Sequence, residues 1–309
     1  MLRKVVQSVL TNSRVKSLVE ASSVGEATAA QFIAGSHVND AVDAVVALKE
    51  SGYLATVERI LEPAENEIQS HTNALSYIDC IRALAGAGLG EDLDITIQLS
   101  ALGLTLPNGE AIALENLSKV CQSAQDAQMS VTIGMDQLED VPATLRVAHT
   151  LSEKFSNIGM TLQSSLLRSE QDAAVFAASG ARVRLCKGTV TQDPEHAYVN
   201  RTEIDKAFVR EMRTLLRSSA YVMIATHDPR LLQIGQALAL RSGRLKDSFE
   251  FQMYLGVRKD EQQRLLALNH RVRIHVPFGE QWYPVVTDRL ARQPKSIGAA
   301  FGSLIRRKS

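Results

Sequence analysis

Paired cysteines are missing from this 309-residue chain. Cys80, Cys121 and Cys186 stand far apart, which excludes a disulfide framework and a thiolate metal cluster and fits a reducing cytoplasm. Charge of one sign is missing too. Lys plus Arg and Asp plus Glu number 34 each, so nothing marks a nucleic-acid surface. No segment reaches the roughly 18 consecutive apolar residues that cross a bilayer. The N-terminal MLRKVVQSVLTNSRVKSLVEAS has basic residues but no apolar run of signal-peptide length. As an amphipathic helix it can touch a membrane surface, so peripheral contact at the inner membrane face stays open. Packing of that helix on its own domain is the preferred reading. No GxGxxG follows a strand pattern, which counts against a Rossmann domain. The seven histidines form no HxH or HExxH pair, so no metal is expected, and no GxSxG elbow marks a serine nucleophile.

Apolar residues make up 45% of the chain, enough for a sizeable core. Eight β-rich runs recur along it: YLATVERI, DITIQLS, SVTIGM, GMTLQSS, ARVRLCK, YVMIATH, FEFQMY and RVRIHV. Helical spacing fills the intervals. In DKAFVREMRTLLRSSA, for example, Phe208, Met212 and Leu215 or Leu216 share one face. Eight β–α units in a chain of this length predict a distorted (β/α)8 barrel of TIM type, with an open doubly wound sheet as the competitor. The expected organisation is an N-terminal helical extension over residues 1–35, a barrel over 36–309, and a final helix over the C-terminal face of the strands.

Barrels of this kind carry their chemistry at the C-terminal ends of the strands. The exits here offer Gln98, Asp136, Gln163, Arg184 with Lys187, Thr226 with His227, Gln252 with Tyr254, and His275. Arg184 presents a rigid fork of donors. Lys187 followed by Gly188 suits a phosphate, because glycine lets the backbone approach closely. Gln163 can donate to and accept from the edge of a heterocycle. A large, planar, phosphorylated cofactor would use all of them. Each has a plainer alternative: a structural ion pair for Arg184, a solvated loop lysine for Lys187, a satisfied turn histidine for His227.

The runs RVRLCKG, IATHDPRLL, FEFQM and VRIHVPFGEQWY, in this order, resemble the proline dehydrogenase family, whose members typically read RLVKGAY, ATH, EFQML and a final helix with RRL. The likeness runs from about Phe32 to Pro294. It implies a distorted (β/α)8 barrel that holds FAD at its strand exits. Arg184 then matches the arginine near flavin N5, and Lys187 with Gly188 the pair holding the cofactor chain. Gln163 matches the glutamine at the pyrimidine edge, and Thr226 with His227 the residues near the adenosine and pyrophosphate. Glu250 and Gln252 keep the family's EFQ. A quinone or another acceptor in place of NAD is implied for reoxidation.

The substrate half of the pattern departs from the family. Gln98 replaces its lysine, Gly134 its acidic residue and Asp136 its glutamate. Val190 and His275 replace tyrosines, and Tyr254 a leucine. In the final helix Asp288 and Arg289 stand for an arginine pair, and Arg292 for a glutamate. An arginine pair grips a carboxylate bidentately, and losing one partner of such a grip typically costs about 2–5 kcal/mol. The expectation is an FAD-dependent oxidoreductase taking hydride from a C–N bond of an amine or amino-acid-like substrate, inefficient with L-proline. His275 is its candidate proton acceptor, alongside a packing role. Two alternatives remain: an authentic proline dehydrogenase with a rearranged clamp, and a non-catalytic flavin-binding or scaffold homologue.

Overall fold

The computed structural model describes residues 29–188 and 193–292. Eight parallel strands close into a barrel in sequence order. They are β1 (Leu54–Arg59), β2 (Leu93–Ile97), β3 (Ser130–Ile133), β4 (Ile158–Gln163), β5 (Arg182–Cys186), β6 (Tyr221–Ala225), β7 (Phe249–Tyr254) and β8 (Val272–Phe278). Helix α1 (Val38–Glu50) precedes β1. Each strand is then followed by a helix: α2 (Glu67–Gly86), α3 (Gly109–Asp126), α4 (Val141–Ser152), α5 (Ser169–Ser179), α6 (Arg201–Leu216), α7 (Pro229–Arg241), α8 (Lys259–Ala267) and α9 (Tyr283–Arg292). The predicted runs became these strands because β-branched and aliphatic residues fit a wall buried on both faces. The open-sheet alternative is excluded by the pairing of β1 with β8, which sets Thr56 beside His275.

The helices close the outer layer with their apolar stripes. In α6 the expected face forms, burying Phe208, Met212, Leu215 and Leu216. Asn200, Asn66 and Asp228 cap α6, α2 and α7 by accepting backbone N–H groups of Thr202, Gln69 and Arg230, which ends each preceding loop sharply. The sequence motif THDP thus delivers a strand exit, an N-cap and a proline in the first turn of α7.

Inside the barrel the core turns polar. Inward positions recur every second residue along a strand. In β2 they are Asp94, Thr96 and Gln98; in β7 they are Glu250, Gln252 and Tyr254. Barrels more often stack branched apolar residues there. Here Arg184 reaches Asp94, Thr96 and Gln252 across the lumen, and one layer deeper Arg273 grips both oxygens of Glu250. This hydrogen-bonded floor carries the site above it.

Of the expected N-terminal extension, residues 1–28 lie outside the described residues. Ala29, Phe32 and Ile33 pack with Val257 and with Val286 of α9 in a separate apolar cluster. Among the described residues no helix is long and apolar enough to cross a membrane.

Candidate active site

A cavity of about 670 Å³ opens at the C-terminal ends of the strands, below α9. That volume is in the range of small-molecule sites. From β4 to β6 and their loops, Gln163, Arg184, Lys187, Gly188, Thr226 and His227 line it. From the other strands and α9 come Gln98, Gln252, Tyr254, His275 and Arg289. The fold brings these sequence-predicted residues into one wall.

Two expected residues do not reach that wall. Glu250 belongs to the same inward face as Gln252 but sits one layer deeper. Its carboxylate is fully enclosed and accepts hydrogen bonds from Arg273 at 2.6 and 2.9 Å, Tyr221 at 2.8 Å and Gln252 at 2.7 Å. Its part is to fix Gln252 from below. Asp136 turns away after β3, and its carboxylate accepts the Ser100 N–H at 2.9 Å. Burial raises its pKa against that bond. Val190 and the side chains of Asp288 and Arg292 lie outside the described residues.

Of the sequence readings of Arg184, the structural ion pair is present, with Asp94 at 2.9 Å. The side chain also faces the cavity. Nε donates to Gln252 Oε1 at 2.7 Å, Nη1 to Thr96 Oγ1 at 3.0 Å, and Nη2 to Asp94 Oδ2 at 2.9 Å and Thr56 Oγ1 at 3.4 Å. Asp94 in turn accepts from the hydroxyls of Thr56 and Thr132 at 2.6 and 2.7 Å. These hydrogen bonds fix the orientation of the guanidinium at the cavity floor.

Lys187 leaves β5 toward the rim. Its ammonium lies 2.6 Å from Asp205 and 3.3 Å from Asp228. Burial would raise the Asp228 pKa, but the hydrogen bonds of Arg230 and the charge of Lys187 bring it down to about 2. Gly188 has φ +75°, and a Cβ there would overlap the Ser165 hydroxyl and meet Gln163 Cβ at 2.9 Å. Only glycine lets the chain turn here against β4. Two polar atoms of the same wall find no hydrogen-bond partner among the described residues. Thr161 Oγ1 and Gln98 Oε1 are buried without a hydrogen bond. Buried polar groups are nearly always satisfied, so a ligand with polar edges fits this wall.

Sequence reasoning passed over Glu58, at the exit of β1. Its carboxylate Oε2 lies 2.6 Å from His275 Nε2, and its Oε1 accepts from Gln98 Nε2 at 3.2 Å. Burial pushes the Glu58 carboxyl up. The charge and hydrogen bond of His275, the Gln98 hydrogen bond and the charge of Arg289 outweigh it and hold the pKa at about 2. Burial lowers the pKa of His275, against the pull of Glu58. The strand-exit rule that yielded Gln98 and His275 applies equally to β1, so it would have found Glu58. Arg289 is held from two sides, donating to Phe32 O at 2.6 Å and lying 4.2 Å above the Tyr254 ring. Tyr254 also stacks on His227, ring centroids 5.1 Å apart.

A family model described as "Proline dehydrogenase" matches residues 41–283. Among characterised proteins, the chain is 30% identical over 302 residues to a "Proline dehydrogenase" of Deinococcus radiodurans, covering 97% of this chain and 96% of that one. It is 26% identical over 279 residues to "Proline dehydrogenase 2" of Bacillus subtilis strain 168, covering 90% and 91%. Among solved structures, proline utilization A (PutA) from Bdellovibrio bacteriovorus inactivated by N-propargylglycine superposes with a TM-score of 0.79 at 20% identity, covering 87% of this chain and 32% of that one. PutA from Corynebacterium freiburgense gives 0.71 at 18%, covering 97% and 34%. The chain spans about a third of these solved chains, and the likeness to them is one of fold.

Proposed function

The chain belongs to the proline dehydrogenase family, and on that footing we propose an FAD-dependent oxidoreductase that oxidises the C–N bond of an amine or amino-acid-like substrate and is inefficient with L-proline. FAD is the family's cofactor, and when bound it supplies the hydride acceptor. The donor set of the cavity fits it. Gln163, Arg184, Lys187, Gly188, Thr226, His227 and Gln252 would hold it, with Glu250 supporting Gln252 from below. The partnerless Thr161 and Gln98 oxygens in the same wall support a polar ligand there. Arg184 would contribute a charge that needs no reorganisation. Reoxidation would fall to a quinone or another acceptor.

The observation that carries the substrate reading is the state of Gln98. The family lysine would bring a cation to that place. Here an amide stands there, donating to Glu58, and Arg289 is the one arginine left of the family pair. By sequence Asp288 replaces its neighbour. A substrate side that holds a fixed carboxylate and only one arginine of the family pair favours a cationic or neutral amine over an amino-acid carboxylate. Against it stands one specific finding: the relatives named above are proline dehydrogenases by name, and one of them matches nearly end to end. Proline dehydrogenase itself is therefore the second reading.

Calorimetric titration with FAD, then anaerobic flavin bleaching by L-proline, L-prolinamide and pyrrolidine, tests both. Expected are FAD binding and faster bleaching by the two carboxylate-free amines. No binding at high micromolar FAD removes the cofactor reading. Equal bleaching by L-proline makes the protein a proline dehydrogenase in the strict sense.

A further inference from the structure

We propose that Glu58 and His275 form an acid–base pair, in which Glu58 holds the imidazole as proton acceptor for the substrate nitrogen. The inference rests on the amine-oxidation reading above and deepens it. The two side chains come from adjacent strands β1 and β8, and both line the cavity. They are 17% and 11% exposed, so solvent screens their interaction little. Glu58 Oε2 and His275 Nε2 are 2.6 Å apart, a short, charge-assisted bond. The other carboxylate oxygen is held by Gln98. A carboxylate facing Nε2 makes that nitrogen the donor. The neutral ring then carries its proton on Nε2 and keeps its lone pair on Nδ1. Among the described residues Nδ1 makes no hydrogen bond. The edge of Tyr254 meets the ring at 90°, with centroids 5.4 Å apart, and limits its rotation.

The charges that face the imidazole are Glu58 from β1, Arg184 from β5 and Arg289 from α9. The phenol of Tyr254 faces it from β7. Burial opposes the imidazolium most strongly, the Glu58 carboxylate favours it, and both arginines oppose it, so the pKa falls below the ordinary histidine value. His275 therefore waits as a neutral base in neutral solution.

In the step itself, an N–H proton of the substrate ammonium passes to Nδ1. The electrons of that N–H bond stay on the substrate nitrogen as a lone pair. The positive charge moves to the imidazolium, which lies against the Glu58 carboxylate. Nothing is oxidised or reduced in this transfer. The freed lone pair is what a C–N bond needs to become C=N when hydride leaves the adjacent carbon. Glu58 is a positioning residue in this scheme, and His275 is the catalytic base.

The test uses the FAD-loaded full chain with pyrrolidine as probe. The rate of flavin bleaching is followed against pH for the unaltered protein, Glu58→Gln, Glu58→Asp and His275→Asn. The rate should rise with pH through the His275 titration. Glu58→Gln should move that acid limb to lower pH and cut the maximal rate roughly tenfold or more. Glu58→Asp should keep the limb, and His275→Asn should abolish it. A limb left in place by Glu58→Gln overturns the proposal. Nitrogen-15 NMR of histidine-labelled protein reads the pair without turnover. Expected is a neutral ring protonated at Nε2 in the unaltered protein and a mixture of tautomers in Glu58→Gln. A proton on Nδ1 in the neutral form overturns the pairing. If pyrrolidine and the other amines leave the flavin oxidised, amine oxidation falls, and the tautomer still decides the pair.

Discussion

Gln98 occupies the space that a side chain at residue 134 would need. A Cβ built on Gly134 overlaps the Gln98 amide group and comes within 2.6 Å of its carboxamide carbon. The two departures from the family at these positions are thus one packing solution: the amide lies across the glycine and donates to Glu58.

The coupling has a measurable consequence. Gly134→Asp alone displaces Gln98 and should lose about 1–3 kcal/mol of stability by overpacking. Gln98→Lys with Gly134→Asp should recover part of that loss, with a coupling of about 0.5–3 kcal/mol. Denaturant unfolding of the two single variants and the double variant closes the cycle. Additive losses would show that the two positions are independent.

Arg184 is a structural as well as a chemical residue. Removing it strands Asp94, which is fully enclosed beneath it. Breaking one side of a buried pair costs about 3–5 kcal/mol. Arg184→Met should therefore unfold much earlier in a thermal melt. Gln163→Ala, which breaks no side-chain hydrogen bond among the described residues, should melt close to the unaltered protein while weakening FAD binding by calorimetry. Equal melting of Arg184→Met and the unaltered protein would contradict the pairing.

Glu211 predicts a slope of stability with pH. It sits on α6 with 1% exposure. Ser164 Oγ donates to it at 2.5 Å. Burial pushes its pKa from the ordinary 4.5 up to about 7. A carboxyl whose folded pKa is raised stabilises fully below its unfolded value and loses that contribution as pH rises through the folded one. Unfolding free energy should thus fall between about pH 4.5 and 7, by up to about 3 kcal/mol. Glu211→Gln should flatten the slope in denaturant unfolding across that range. An unchanged slope would assign it to other groups.

Asp288 tests the altered grip from the sequence side. Where the family carries an arginine, Asp288→Arg should move preference toward amino-acid carboxylates. The ratio of bleaching rates for L-proline and L-prolinamide should rise roughly 30-fold or more, the equivalent of about 2 kcal/mol. No change in that ratio would place substrate discrimination elsewhere in the wall.

The sequence by itself determined the eight β–α units, because strand and helix periodicities are local and three of the helices carry their own N-caps. Through the strand-exit rule it also determined which side chains share one end of the barrel. Arg184, Lys187, Gln163 and His275 were legible for that reason. Their partners were not. Arg184 meets Asp94 across 90 residues of chain, and Glu58 meets His275 across 217. Alternation along a strand says that a residue points inward. It leaves open at what height, and toward which other strand. Barrel closure and register settled those points. They lowered Glu250 a layer beneath the cavity, tied Arg184 into the floor, and set a carboxylate against the imidazole. Such pairings are made by the packing of distant strands, where the low dielectric of the lumen gives each contact its strength.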